Sequence, residues 1–249
     1  MPTVTPVAAR RARAYVRVKG PDAVDYLNRM LSNDVPASGS VDALLLTPKA
    51  RVIAPVLVWR RDDDDVLLLT EPELGDVLRA QLTRMRFASK CEIEFELHTS
   101  TIVFDDAHGI PNRDYGIPAT EVLDADLAAV GEEELEPLRI EAATPRFGRE
   151  IDDRVLPAEA GLDERAVSFE KGCYPGQEPI ARQHHRGKVN RRLRVLEVEA
   201  AEPGDEIHLG EKTVGRITSA VPGRALGYVR VEVPDDAALD VGGAAARLH

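Results

Sequence analysis

Apolar and polar positions change their period several times along this chain, and each change marks an element. After Gly20-Pro21, the residues Val24, Leu27 and Leu31 recur at helical spacing. A helix is therefore expected over 22–31, with proline tolerated in its first turn and Asn33-Asp34 and Pro36 ending it. Two apolar runs, 41–47 and 51–59, read as strands joined by a turn at Pro48-Lys49. The four aspartates 62–65 repel one another and prefer water, so they read as a hairpin loop from which 66–69 returns as a strand. Thr70-Glu71-Pro72-Glu73 fits a capping box, with Thr70 as N-cap and Glu73 at N3. The helix after it carries Leu74, Val77, Leu78, Leu82 and Met85 on one face. Residues 91–98 alternate, with Ile93, Phe95 and Leu97 inward, and read as a half-buried strand. Cys91 shares that parity and reads as a small core hydrophobe.

The order strand, strand, helix, strand points to an α+β fold rather than a doubly wound sheet. Residues 112–137 are acidic and less regular, with Glu132 to Glu134 on a solvated face; no internal repeat or low-complexity tract is found. After Arg191 the chain becomes short strands with glycine turns, at 193–198, 206–209, 213–220 and 225–233. That spacing predicts a small antiparallel barrel or sheet. It holds no nucleophile-and-base pair, so it reads as scaffold or lid. The expected division is 1–190 and 191–249.

A chain of 249 residues can bury a substantial core as one large domain or two to three smaller ones. No apolar run approaches the roughly 20 residues that span a bilayer, and the arginine-containing start, 1–13, lacks the apolar stretch of a secretory signal. No membrane association is expected. Two cysteines, Cys91 and Cys173, could form one disulfide at most, and such sparse use suits a reducing cytoplasm. The net charge of −11 opposes general nucleic-acid binding. It is uneven: Arg182, Arg186, Lys188, Arg191, Arg192 and Arg194 form a strip without acidic residues, leaving 26 basic against 43 acidic residues elsewhere. Such a strip is either a site for a specific anion or a solvated strand edge protected by charge.

The segment Lys171-Gly172-Cys173-Tyr174-Pro175-Gly176-Gln177-Glu178, followed by Pro179-Ile180-Ala181-Arg182, is poorly suited to building a core. Its glycines permit close backbone approach and its proline fixes one φ. What remains is a rigid polar loop with Cys173 near Lys171, and a nearby cation favours the thiolate. The other reading is a glycine-rich surface loop with a spectator thiol. A catalytic cysteine needs a base such as histidine. On a strand, His184 and His185 point to opposite faces, so at most one would face Cys173. No metal site is expected, since one cysteine and a histidine pair fall short of three or four spaced ligands.

KGCYPGQE followed by IAR resembles the signature of the YgfZ-type folate-binding proteins. These are relatives of the glycine-cleavage T-protein (aminomethyltransferase) linked to iron–sulfur cluster assembly and repair. The resemblance extends to YVRVKGPDAVDYLNRMLSND at 15–34, to LLLTPKARVI at 44–53, to Arg139-Ile140-Glu141-Ala142, to Gly148-Arg149-Glu150 and Leu156-Pro157-Ala158-Glu159, and to VGRITSA and ALGYVR in the C-terminal part. Ala50 and Ala143 stand where glycine is usual. The resemblance implies a T-protein-like folate-binding body, with ferredoxin-like sheet and helix layers, and a C-terminal barrel around a central pocket. It also implies tetrahydrofolate as cofactor, with Glu141 as pterin partner and Lys171 or Arg182 as partners of the tail carboxylates. Cys173 is then a functional thiol in cluster handling, with assembly or client proteins, including those that modify tRNA, as partners. One departure matters. T-proteins carry an Asp-Asp pair on the strand after the Pro-x-Gly turn, where this chain has Ala54-Pro55. Neither residue can accept a proton. An accessory folate-binding role is therefore expected ahead of one-carbon transfer, with an RNA-contacting module using 182–194 as a third reading.

Overall fold

The computed structural model describes residues 7–104, 108–187 and 189–249. In chain order its elements are β1 (Ala8–Arg10), β2 (Ala14–Lys19), α1 (Ala23–Met30), β3 (Gly39–Leu46), β4 (Val52–Asp62), β5 (Asp65–Thr70), α2 (Gly75–Met85), β6 (Glu92–Glu96), β7 (Ser100–Val103), β8 (Ile110–Asn112) and β9 (Ala119–Leu123). Then come α3 (Glu136–Glu141), α4 (Asp163–Ala166), α5 (Gln177–Arg186), β10 (Arg191–Val198), β11 (Glu206–Leu209), β12 (Lys212–Val221), β13 (Gly223–Arg230), β14 (Leu239–Val241) and β15 (Ala244–Leu248). The α+β architecture with a C-terminal antiparallel barrel is as expected. A five-stranded sheet runs β3-β4-β5-β2-β6, a four-stranded sheet runs β1-β7-β9-β8, and the last six strands close a barrel in the order β10-β13-β12-β11-β14-β15.

The alternation of β2, β4 and β5 sorts the first sheet into two faces. Val16, Val18, Val56, Val58, Val66 and Leu68 face α1 and α2, while Tyr15, Leu57, Leu67 and Leu69 face the second sheet at Ile110. Covered on both sides, β5 is buried along its whole length, which is why its sequence is a continuous apolar run. A second core joins the body to the barrel, where Leu44, Ile140 and Val167 pack with Leu193, Val195, Leu226 and Tyr228.

Several details depart from the sequence reading. α1 buries Ala23, Tyr26, Leu27 and Met30, a stripe rotated from the expected one because the Tyr26 hydroxyl reaches α2 and donates to the Leu82 carbonyl at 2.6 Å. Thr70 caps no helix; it ends β5, and its hydroxyl donates to the Pro55 carbonyl at 2.7 Å. The following helix opens instead with a 3-10 turn, Pro72–Leu74. Val77 is exposed. So are Phe95 and Leu97, because β6 is an edge strand paired with β2 alone, and Phe95 lies under the Arg79 guanidinium at 4.8 Å. The aspartate run is not uniformly solvated. Asp65 is buried and bonded by Arg17 and Arg61. Burial opposes its ionisation, but those two arginines outweigh it and hold the carboxyl below its ordinary range. Strands β14 and β15 were not anticipated, being short and joined through Gly242-Gly243, with Ala244-Ala245-Ala246 a weak strand signal.

Candidate functional site

A cavity with about 60 Å³ of free space opens between the two sheets and α4, and its polar wall is built of arginines. Arg11 and Arg13 lie two residues apart in the extended link between β1 and β2, and both point into it. Arg11 donates from Nη2 to Glu71 at 2.6 Å and from Nη1 to Glu132 at 2.7 Å. Arg13 holds the fully buried Glu121 through Nε and Nη2, both at 3.1 Å, and Asp114 at 3.3 Å. Arg165, on α4, donates from Nε to Asp42 at 2.9 Å and from Nη2 to Asp114. Arg139, on α3, is buried between Glu136 and Glu150, and its Nη2 donates to the Ser219 hydroxyl of β12 at 2.8 Å. Arg146 completes the set, while Leu44, Leu57, Leu69 and Leu162 form the apolar wall.

Each cavity carboxylate is already engaged. Burial works against ionisation of Glu71, but Arg11 and Arg13 outweigh it and hold the group below its ordinary range. Asp114 is held well below it: burial again opposes, and Arg165 and Arg13 prevail. Asp42 moves the other way, pushed up by burial with Arg165 offsetting only part. Pro55 stands on the cavity wall, at the point where β4 parts from β5, whose ladder begins at Leu57↔Leu69. Ala54 faces away into the α1 core.

The second candidate region is the cysteine loop. Gly176 has φ +87°, and a Cβ there would lie 2.7 Å from the Thr47 carbonyl oxygen. Only glycine lets α5 start this close to the β3–β4 turn. The buried Lys171 side chain donates from Nζ to the carbonyls of Leu31 at 2.9 Å and Asn33 at 2.7 Å, with Asp34 at 3.9 Å. Burial pulls its pKa down to about 8, with Asp34 opposing. Tyr174 tucks beneath, its pKa pushed up to about 12 by burial. The loop is thus pinned to the end of α1. Cys173 is exposed, on the rim of a groove whose wall includes Asp22, Asp25 and Asp34.

None of the three expected folate contacts lines the arginine-walled cavity. Glu141 is exposed at the end of α3, paired with Arg224 at 2.9 Å and His249 at 3.1 Å beside the barrel. Arg139, two residues earlier, takes the inward side of the helix instead. The Lys171 ammonium is engaged by backbone carbonyls rather than free to activate the thiol or meet a tail carboxylate. Arg182 is exposed and paired with Glu178 of its own helix at 2.5 Å. His184 and His185 lie on helix α5, not on a strand. The His184 ring stacks on Phe169 at 4.0 Å, and neither histidine lines the groove at Cys173. Glu132 is not a free acidic face, since it binds Arg11 and Arg146. The basic strip is divided between α5 and β10. Arg182, Arg191 and Arg194 are paired with Glu178, Glu159 and Asp235, while Lys188 and the Arg186 side chain lie outside the described residues. Among the described residues no cluster of three or more His, Cys, Asp or Glu is placed to hold a metal ion, and no helix is long and apolar enough to cross a membrane.

Sequence reasoning missed the arginine wall. Its one local signal is the parity of Arg11 and Arg13 between the apolar pairs Ala8-Ala9 and Tyr15-Val16.

Comparison with known proteins adds independent information. Residues 190–249 match the family described as CAF17, C-terminal beta-barrel domain. An uncharacterized protein of Haemophilus influenzae is 28% identical over 229 residues, spanning 83% of this chain and 81% of that one. The mouse mitochondrial iron–sulfur cluster assembly factor IBA57 is 26% identical over 266 residues, spanning 88% of this chain and 72% of its own length. The crystal structure of glycine cleavage system aminomethyltransferase T from Bartonella henselae superposes with a TM-score of 0.83 over 97% of this chain and 84% of that one, at 18% identity. At that identity the likeness establishes the fold.

Proposed function

We propose that this chain, whose fold is T-protein-like, is a folate-binding accessory protein of the YgfZ/CAF17 type, serving iron–sulfur cluster assembly or repair and not acting as an aminomethyltransferase. The observation that carries this reading is at β4. At the positions where the resemblance puts the transferases' aspartate pair, Ala54 is sealed in the core and Pro55 forms the cavity wall. The nearby carboxylates Asp42, Glu71 and Asp114 are bound to arginines, and at Glu71 and Asp114 those cations outweigh burial and make the carboxylate a weaker proton acceptor.

The donor set suits tetrahydrofolate. Asp42, Glu71 and Asp114 can accept from the N–H edge of a pterin, the leucine wall offers its ring an apolar face, and the guanidinium groups suit its carboxylates. These carboxylates take the role expected of Glu141. The free space of about 60 Å³ is below the roughly 300–1,000 Å³ of ligand sites, so admitting the ring requires side chains at the mouth to move. When bound, a reduced folate supplies nitrogens that accept a one-carbon unit. The chain's own part is to orient it, exclude water and present Cys173 from the pinned loop. The division into a folate-binding region, 1–190, and a barrel, 191–249, belongs to this reading. So does action in the cytoplasm on cluster-dependent enzymes, among them those that modify tRNA.

Two measurements test it. Anaerobic calorimetric titration with tetrahydrofolate should give saturable micromolar binding, with no methylene-folate formed from glycine-like amines. Turnover would restore the transferase reading. In a deletion strain, Cys173→Ala should fail to restore cluster-dependent enzyme activity; full restoration would end the thiol's role. Salt-steep RNA binding would favour an RNA-contacting module instead.

A further inference from the structure

The arginines of the cavity wall are not equivalent. Arg11, Arg13, Arg139 and Arg165 are each locked by at least two side-chain hydrogen bonds to carboxylates. Arg146 is not. Its Nη2 stands 3.1 Å from Glu132, and Nε and Nη1 lie 3.9 Å from Glu71 and Glu136. All three carboxylates are committed elsewhere: Glu71 to Arg11, Glu132 to Arg11 and the Ala12 amide, and Glu136 to Arg139 and Arg149. Among the described residues the buried Nε of Arg146 finds no hydrogen-bond partner, and the Nε of Arg11 shares that condition. Burial and the Arg11 charge together push the Arg146 guanidinium below the ordinary arginine range.

A mostly buried guanidinium with an unbonded edge is costly unless an acceptor fills it. The lining itself carries five guanidinium groups against three carboxylates, Asp42, Glu71 and Asp114. The acids that balance the rest stand behind the wall, out of reach of a ligand inside it. The geometry points to Arg146 as the handle for a ligand carboxylate: we propose that the cavity selects a carboxylate-bearing small molecule and that Arg146 binds that carboxylate. Resting on the folate reading, this makes the glutamate end of the folate, rather than its ring alone, a determinant of affinity. Arg146 is then a specificity residue, and its loose tethering suits a side chain that re-pairs when the ligand arrives.

The test uses the full chain and three probes under reducing, anaerobic conditions: tetrahydrofolate, 6-methyltetrahydropterin (the ring without the tail) and N-(4-aminobenzoyl)-L-glutamate (the tail without the ring). The native protein should bind tetrahydrofolate at least tenfold more tightly than the bare pterin. Arg146→Gln should remove that advantage while leaving pterin affinity within twofold, and Arg146→Lys should restore part of it. Urea unfolding of each variant separates lost binding from lost folding. Equal affinities for the two reduced ligands, or an Arg146→Gln variant that folds and keeps the advantage, overturn the assignment and leave the folate reading standing. If neither pterin binds but the benzoylglutamate does, in an Arg146-dependent way, the carboxylate site stands and the folate reading falls. Binding of none of the three removes both.

Discussion

Replacing Glu150 with glutamine tests the joint between body and barrel. Glu150 is buried, and both oxygens are in use: Oε2 accepts from Arg139 Nη1 and the Arg146 amide, each at 3.0 Å, and Oε1 accepts from the Ser219 hydroxyl at 2.6 Å. Its carbonyl accepts from the Tyr228 hydroxyl at 2.9 Å. One residue therefore ties α3 and its following loop to β12 and β13. Glutamine keeps the shape but removes the charge and turns an NH₂ toward a donor. Breaking a buried pair from one side costs about 3–5 kcal/mol. Arg139 retains Glu136, so the lower end applies, about 3 kcal/mol, or a fall in Tm of about 6–12 °C for a chain of this length. Urea unfolding and calorimetry measure it, alone and in a double-mutant cycle with Arg139→Met. In that cycle the double variant should lose at least about 1 kcal/mol less than the sum of the singles, because one interaction is removed twice. A single-variant loss below about 1 kcal/mol, or additive losses, would refute the joint.

Four other outcomes are expected. Gly176→Ala should destabilise by more than about 2 kcal/mol, adding a backbone clash to the left-handed penalty; an unchanged urea midpoint counts against it. Iodoacetamide should label one thiol, Cys173, in the native protein and Cys91 only after denaturation, read by mass spectrometry of the peptides. His98 sits between Asp124 at 2.6 Å and Glu96 at 3.0 Å, and although burial opposes it these carboxylates raise its pKa above 6.5. Its stabilising contribution is full below 6.5 and lost as pH rises through the higher folded value, so His98→Gln should flatten the stability–pH curve there. Lys171 has the opposite sign. Lowered to about 8 from 10.5, its ammonium costs stability below pH 8, and the cost is relieved between about 8 and 10.5. Lys171→Met should lack that rise.

What could be read from the sequence follows physical range. The β3–β4 turn, the barrel and the cysteine loop were legible because their signals are local: a proline between apolar runs, glycine turns at regular intervals, and a thiol among residues that build no core. The α1 stripe was misplaced because a tyrosine hydroxyl seeking the Leu82 carbonyl is not a hydrophobic signal. The arginine wall was hidden because a buried arginine and an exposed one are the same letter. Its defining pairs, Arg11 with Glu71 and Arg13 with Glu121, lie 60 and 108 residues apart. Glu141 and Arg139 show the limit most closely: the motif was found, but two residues along a short helix exchange its inward and outward sides.

The bonds from Lys171 to Leu31 and Asn33 span 140 and 138 residues, so the setting of the thiol is completed by two distant parts of the chain. Every strand of the two body sheets lies within residues 8–123, so those sheets can close while the cysteine loop is still unsynthesised. In a chain whose sheets close first, the lysine would dock on a helix end already formed, and the thiol would take its fixed address with it. A chain stalled or misfolded before that moment carries the same cysteine without its setting, so the seated thiol is a mark of a completed body.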